Sequence, residues 1–280
     1  MFRNAQFCFN EFSHSVKHQR TTLYFLSPVP SHTRQALERL IEQPSSAKRI
    51  SAPLDCADSA LFLKREPLDS IKKKWRMQRC APKRNGLYDW PLEELINTRE
   101  ATRRGARTAA LLGYGYSRCK LGLMKDFFLI SRSLTGHVDG MALIERNPHA
   151  VEAVIEATAE LLHALHSQGI THMDLWAANV MLPEQGSGLA QAIDLENSFF
   201  TPTAFFSETL GFQFGFLYHR KLYRYITEAA FDRLIEQSLA KYFAHVDRAA
   251  FGKIYEVAKH QVIDRLERRE IFSKGVFKRG

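Results

Sequence analysis

Asp174 and Asn179 stand five residues apart in the stretch "THMDLWAANVML", and a second acid, Asp194, follows twenty residues after the first, closing the apolar run "QAID". Two acids and an amide on loops beside two short buried strands suit phosphate and divalent-metal chemistry. Phosphoryl transfer asks little covalent work of a protein. It needs a carboxylate to orient the attacking hydroxyl and take its proton, and oxygen ligands to hold Mg²⁺ against the phosphates. Asp174 fits the first task, and Asn179 with Asp194 the second. The competing reading is a plain turn, which Asp and Asn favour anyway. The acid placed after an apolar run tips the balance toward chemistry. His172 reads as a structural residue packed beneath the loop.

These residues need elements to position them. Asn147-Pro148 starts a helix whose stripe Val151, Val154, Ile155, Thr158, Leu161, Leu162 and Leu165 ends at Gly169, immediately before the loop. "NVML" and "AQAID" read as two short strands after it. From about residue 205 to the end the pattern is helical. Upstream, 21–26 and 59–66 read as strands and 33–43 as a short helix. From Trp90 a helix is predicted toward Leu112, with Pro91 in its first turn and Glu93 and Glu94 at the positive end of its dipole. Strands follow at 116–123 and 126–134. The fold class expected is α+β in two lobes: a strand-rich lobe over 1–134 with one long helix, and a mostly helical lobe over 135–280 carrying the loop. Gly136 and Gly140 make a hinge between them plausible.

A length of 280 residues with 45% apolar and 25% charged types supports a core of this size. The net charge of +9 calls for anionic partners: nucleotides, nucleic acid or an acidic membrane surface. Residues 71–86 hold seven Lys or Arg, interleaved with Trp75 and Met77. This basic insertion reads as a solvated loop or as a segment that meets an acidic surface. Cys8, Cys56, Cys80 and Cys119 form no CxxC pair, so a zinc site or disulfide framework is not expected and a reducing cytosol is. The first twenty residues lack the apolar core of a signal peptide, and no apolar run is long enough to span a bilayer. The stretch 199–218, with seven phenylalanines, reads as core packing ahead of contact with an acyl chain.

"HMDLWAAN" resembles the catalytic loop of protein-kinase-like enzymes, and "AIDLE" resembles their metal-binding segment. The preceding "LLHALHSQGI" is also similar to what those enzymes carry. On the same resemblance, "LFLK" nominates Lys64 as the phosphate-binding lysine and "NTREA" nominates Glu100 as its partner. Within that superfamily the "LKRE" strand followed by a basic, Trp-containing stretch, the "REA" of the helix and "IDLENS" resemble the bacterial lipopolysaccharide core kinases, the Kdo and heptose kinase family. That resemblance implies ATP and Mg²⁺, a sugar hydroxyl on an anionic glycolipid as acceptor, no nucleic acid, and work at the cytoplasmic face of the inner membrane. The chain also departs from the superfamily pattern. No glycine precedes Gly86, so turns at 43–49 or 53–59 would have to cover the phosphates. Met173 replaces the loop arginine, and Glu196 stands where glycine is expected. Two other readings stay open: a small-molecule kinase of the aminoglycoside or sugar-amine type, and a pseudokinase that binds without transferring.

Overall fold

The computed structural model describes residues 9–43, 49–56, 59–84, 86–185 and 188–277. The chain forms two compact units. The first comprises Met1–Thr102 and Ala109–Thr135; the second comprises Arg103–Thr108 and Gly136–Gly280.

In the first unit the elements run β1 (His14–His18), β2 (Thr21–Phe25), α1 (Ser31–Glu42), β3 (Ile50–Cys56), β4 (Ser59–Pro67), α2 (Ile71–Arg79), α3 (Trp90–Arg103), β5 (Leu111–Arg118) and β6 (Met124–Arg132). The strands make one six-stranded antiparallel sheet in the order β1-β2-β5-β6-β4-β3. Successive side chains on a strand point to opposite faces, and β6 uses both. Phe127 and Leu129 join a core with Leu92 and Leu95 of α3 and Met77 of α2, while Phe128 and Ile130 join one with Leu37 and Leu40 of α1. The same alternation on β4 sends Leu61 and Leu63 to the α1 side. It leaves Lys64 for the side covered by α3.

Three sequence expectations change here. The long helix ends at Arg103, not near Leu112, because Gly105 takes a left-handed conformation (φ 66°) just beyond it. The strand expected at 116–123 is β5, shifted to Leu111–Arg118, and Gly122 (φ 80°) makes the turn into β6. The basic stretch 71–86 is no simple loop: α2 occupies Ile71–Arg79. Ser70 caps it by accepting from the Lys73 N–H, and Met77 and Gln78 are buried beneath it. Most of the turn at 43–49 and the tip of the turn at 53–59 lie outside the described residues.

The second unit runs β7 (His137–Asp139), α4 (Gly140–Arg146), α5 (Val151–Ser167), β8 (Thr171–His172), β9 (Val180–Pro183), β10 (Gln191–Ala192), β11 (Ser198–Phe199), α6 (Phe206–His219), α7 (Glu228–Tyr242), α8 (Arg248–His260) and α9 (Arg265–Lys274). The whole predicted stripe of α5 is buried. The helical part of the phenylalanine-rich stretch is core: Phe212, Phe214 and Phe216 of α6 are buried, while Phe199, Phe200, Phe205 and Phe206 are half-buried. Helix α6 lies close against α8, since a Cβ on Gly211 would sit 2.4 Å from the Phe251 carbonyl oxygen and one on Gly215 would sit 2.7 Å from that of Tyr255. Gly140 has a comparable reason for its small size: a Cβ there would meet the Ala177 carbonyl at 2.8 Å, so α4 starts directly beneath the loop. Helix α9 is well bounded. Asp264 and Glu267 form a capping box at its start, and Gly275 (φ 66°) ends it.

Candidate active site

The loop between β8 and β9 is tied together by short-range bonds whose polarity can be followed. The Asp174 N–H donates to His172 Nδ1 at 3.1 Å, so that nitrogen carries no proton. His172 Nε2 is therefore the protonated one, and it donates to the Ile193 carbonyl at 3.0 Å. The imidazole is neutral. Burial pushes its pKa below the ordinary value, against the opposing pull of the Ile193 carbonyl and of Asp174 and Asp194. The structural role expected for His172 is what the ring performs: it links the residue before Asp194 to the N–H of Asp174. Gln213 secures it from below, donating to the His172 carbonyl at 3.0 Å and pairing with His166 at 2.8 Å.

Asn179 completes the tie. Its Nδ2 donates to the Asp174 carbonyl at 2.8 Å, and its own carbonyl accepts from the Ile193 N–H at 3.0 Å. With Nδ2 bonded to the loop, Oδ1 is left as the acceptor end of the amide. The segment with Asp194 is thus bonded to the loop with Asp174 and Asn179, and the three residues come together within one unit. Asp194 sits in a left-handed conformation (φ 65°, ψ 60°), uncommon for a residue other than glycine and a frequent mark of functional sites.

Three flanking features were not legible in the sequence. Arg268, from α9, donates to Asp174 Oδ1 at 2.6 Å and to the Met173 carbonyl at 3.3 Å. The two residues are 94 positions apart, and nothing local to either announces the contact. Met173, in the place of the usual loop arginine, is fully buried against Phe212, Phe216 and Ile271. Trp176, two residues after Asp174, carries the Arg220 guanidinium 4.6 Å over its ring.

In the first unit, Lys64 pairs with Glu94 of α3, whose carboxylate also meets Arg49 at 3.8 Å. The sequence nominated Glu100; the acid found paired with Lys64 is Glu94. The inward stripe of α3 runs through Pro91, Glu94, Thr98 and Ala101, all buried. Glu100 lies six residues beyond Glu94, about 9 Å along the axis and on another face. An acid within that apolar stripe was the signal that would have found Glu94.

The oxygen donors fit a hard divalent cation: a carboxylate at Asp194 and an amide oxygen at Asn179 whose nitrogen is already engaged. A carboxylate, an amide and a second carboxylate held this way suit phosphoryl transfer of the kinase type. The model of the lipopolysaccharide kinase (Kdo/WaaP) family matches residues 61–202, half of the chain, and the chain belongs to that family. Among solved structures it is similar to WaaP in complex with acyl carrier protein, at 18% identity over 75% of this chain and 84% of that one, with a TM-score of 0.48. It is also similar to a Stt7 homolog from Micromonas algae soaked with ATP, at 17% identity over 56% and 48%, with a TM-score of 0.39. No curated protein matches. Among the described residues no helix is long and apolar enough to cross a membrane.

Proposed function

We propose that this protein transfers the γ-phosphoryl group of ATP to a sugar hydroxyl, Kdo or heptose, of the lipopolysaccharide core. Asp174 orients that hydroxyl and takes its proton as the oxygen attacks phosphorus. The bond from phosphorus to the β–γ bridging oxygen breaks, and ADP leaves with the electron pair. Asn179 and Asp194 would hold Mg²⁺, which when bound neutralises charge on the phosphates. Lys64, steadied by Glu94, would bind the α- and β-phosphates. The observation that carries this reading is the Asp174–Asn179 pair bonded to the segment of Asp194 through His172 and Ile193.

The cations near Asp174 favour an anionic acceptor over a cationic drug. Arg268 touches its carboxylate and Arg220 covers the neighbouring Trp176. Work at the inner membrane's cytoplasmic face is supported by α2. Ile71 (74% exposed) and Trp75 (43%) lie four residues apart, hence on one face, with Lys72 and Arg79 beside them.

The test has two arms. ATP with Mg²⁺ raises the melting temperature, by the equivalent of about 2.7 kcal/mol at a hundredfold excess over the dissociation constant, and Asp194→Asn removes the magnesium-dependent part. Lipopolysaccharide core incubated with enzyme and ATP gains the mass of one phosphoryl group. No gain on any core acceptor would sink the kinase reading and leave the pseudokinase one.

A further inference from the structure

Helix α9 touches both catalytic segments with arginines three residues apart, neighbours on one helical face. Arg268 donates to Asp174 Oδ1 at 2.6 Å. Arg265 donates to the Glu196 carbonyl at 2.8 Å, and its guanidinium lies 3.6 Å from the Glu196 carboxylate, two residues after Asp194. The helix is itself firmly seated. Phe272 stacks on Phe199 with ring centroids 3.9 Å apart, Ile271 is fully buried, and Thr203 Oγ1 donates to the Phe272 carbonyl at 2.5 Å. Arg268 is aimed as well as seated. Its Nε donates to the Ile263 carbonyl at 3.1 Å, and its guanidinium lies 4.3 Å over the ring of Phe216.

We propose that α9 is a two-arginine brace for the catalytic centre, in which Arg268 is a positioning residue that fixes the carboxylate of Asp174 and Arg265 holds the segment of Asp194. The proposal rests on the kinase reading for the role of Asp174, and on geometry alone for the contact. A carboxylate on a loop rotates about two side-chain bonds. One oxygen held by a planar, tethered guanidinium stops that rotation and leaves Oδ2 to face the acceptor hydroxyl. The loop cannot supply this cation itself, because Met173 occupies the neighbouring position and is buried in the core. The far end of the chain supplies it. The brace is present without any modification of the loop, so the centre stands assembled in the protein as synthesised.

The experiment compares Arg268→Met, Arg268→Lys and wild type in steady-state transfer to lipopolysaccharide core. Arg268→Met lowers kcat by about 10- to 100-fold, the cost of a misplaced catalytic group, with KM for ATP unchanged. Arg268→Lys, keeping the charge and the alkyl stem over Phe216, recovers part of that loss. A role in packing alone would not separate kcat from KM or favour Lys over Met. If the Met variant does not fold, Arg268→Gln makes the same comparison. Unchanged kcat in a folded, uncharged variant overturns the brace while leaving the kinase reading intact. If the wild type transfers nothing, the kinase reading falls, and a double-mutant cycle in urea with Asp174→Asn decides the contact. The unfolding constants of the Met, Asn and double variants then depart from additivity by on the order of ten-fold. Additive values overturn the brace on that arm too.

Discussion

Asp174 is the residue on which the proposed chemistry turns, and in that proposal it acts on the acceptor, not on ATP. Asp174→Ala is therefore expected to lower kcat by about 10²–10⁴-fold, the usual worth of a positioned base, while nucleotide affinity measured by calorimetry stays within about two-fold of wild type. Near-full turnover in that variant would remove Asp174 from the mechanism. Lys64 gives a second comparison. Glu94→Gln removes the carboxylate that pairs with it and is expected to weaken ATP binding on the order of ten-fold, given the worth of a charge-assisted bond. Glu100→Gln leaves that pair in place and serves as the control. Equal losses in both variants would show that Glu94 does not orient the lysine.

At the scale of elements, close packing and surface charge make separate predictions. Gly211→Ala would drive a methyl group into the backbone of α8, at 2.4 Å from the Phe251 carbonyl oxygen, and is expected to cost about 1–3 kcal/mol as the helices part. Gly252→Ala, inside α8 with nothing within 4 Å of the new Cβ, is expected to stabilise by about 0.5–1 kcal/mol. Urea melts of the two variants should move in opposite directions. Helix α2 raises the question of the membrane. Ion pairs engage Lys73 with Glu66 and Asp69, and Arg76 and Lys83 with Asp89. The cations to test are therefore Lys72 and Lys74. Changing both to Gln is expected to weaken binding to anionic vesicles by about 2 kcal/mol, roughly thirty-fold, at about 1 kcal/mol per charge. Turnover on a lipid-free acceptor should be unaffected. Vesicle binding that is absent, or indifferent to salt, would reduce α2 to a solvated helix.

Across the whole molecule, pH is expected to act through two histidines, half-buried His166 and fully buried His172. Burial depresses the pKa of His166 to about 4, and His172 is lowered by the same cause. An unfolded histidine titrates near 6.5. Between those values the unfolded chain binds the proton that the folded one refuses, so stability is full above about pH 6.5 and falls as the pH drops toward 4. For His166 alone the loss amounts to about 2 kcal/mol at pH 5 and about 3 kcal/mol below pH 4. Melting temperature measured from pH 7.5 to 4 should decline over that window, and His166→Gln should flatten the slope. A flat profile in wild type would mean that these rings accept protons without unfolding their surroundings.

The sequence by itself determined whatever depends on near neighbours. The stripe of α5, the loop with Asp174 and Asn179, and the acid after an apolar run are all patterns within some fifty residues, where helical period and turn chemistry act directly. It misjudged where α3 ends, because the pattern ran on past a glycine whose left-handed conformation closes the helix. It read α2 as a solvated loop or a segment meeting an acidic surface and did not mark it as a helix, because a helix rich in Lys and Arg shows its single buried turn, at Met77 and Gln78, only once a sheet lies beneath it. The tertiary structure alone decided the partners of charges. Lys64 meets Glu94 because the pleat of β4 and the inward stripe of α3 select that acid. Arg268 meets Asp174 because Phe199, Phe216 and Met173 seat α9 against the loop, 94 residues from its origin. A charge carries no record in the sequence of which distant charge it will face, since that choice is made by the packing of the apolar residues around both.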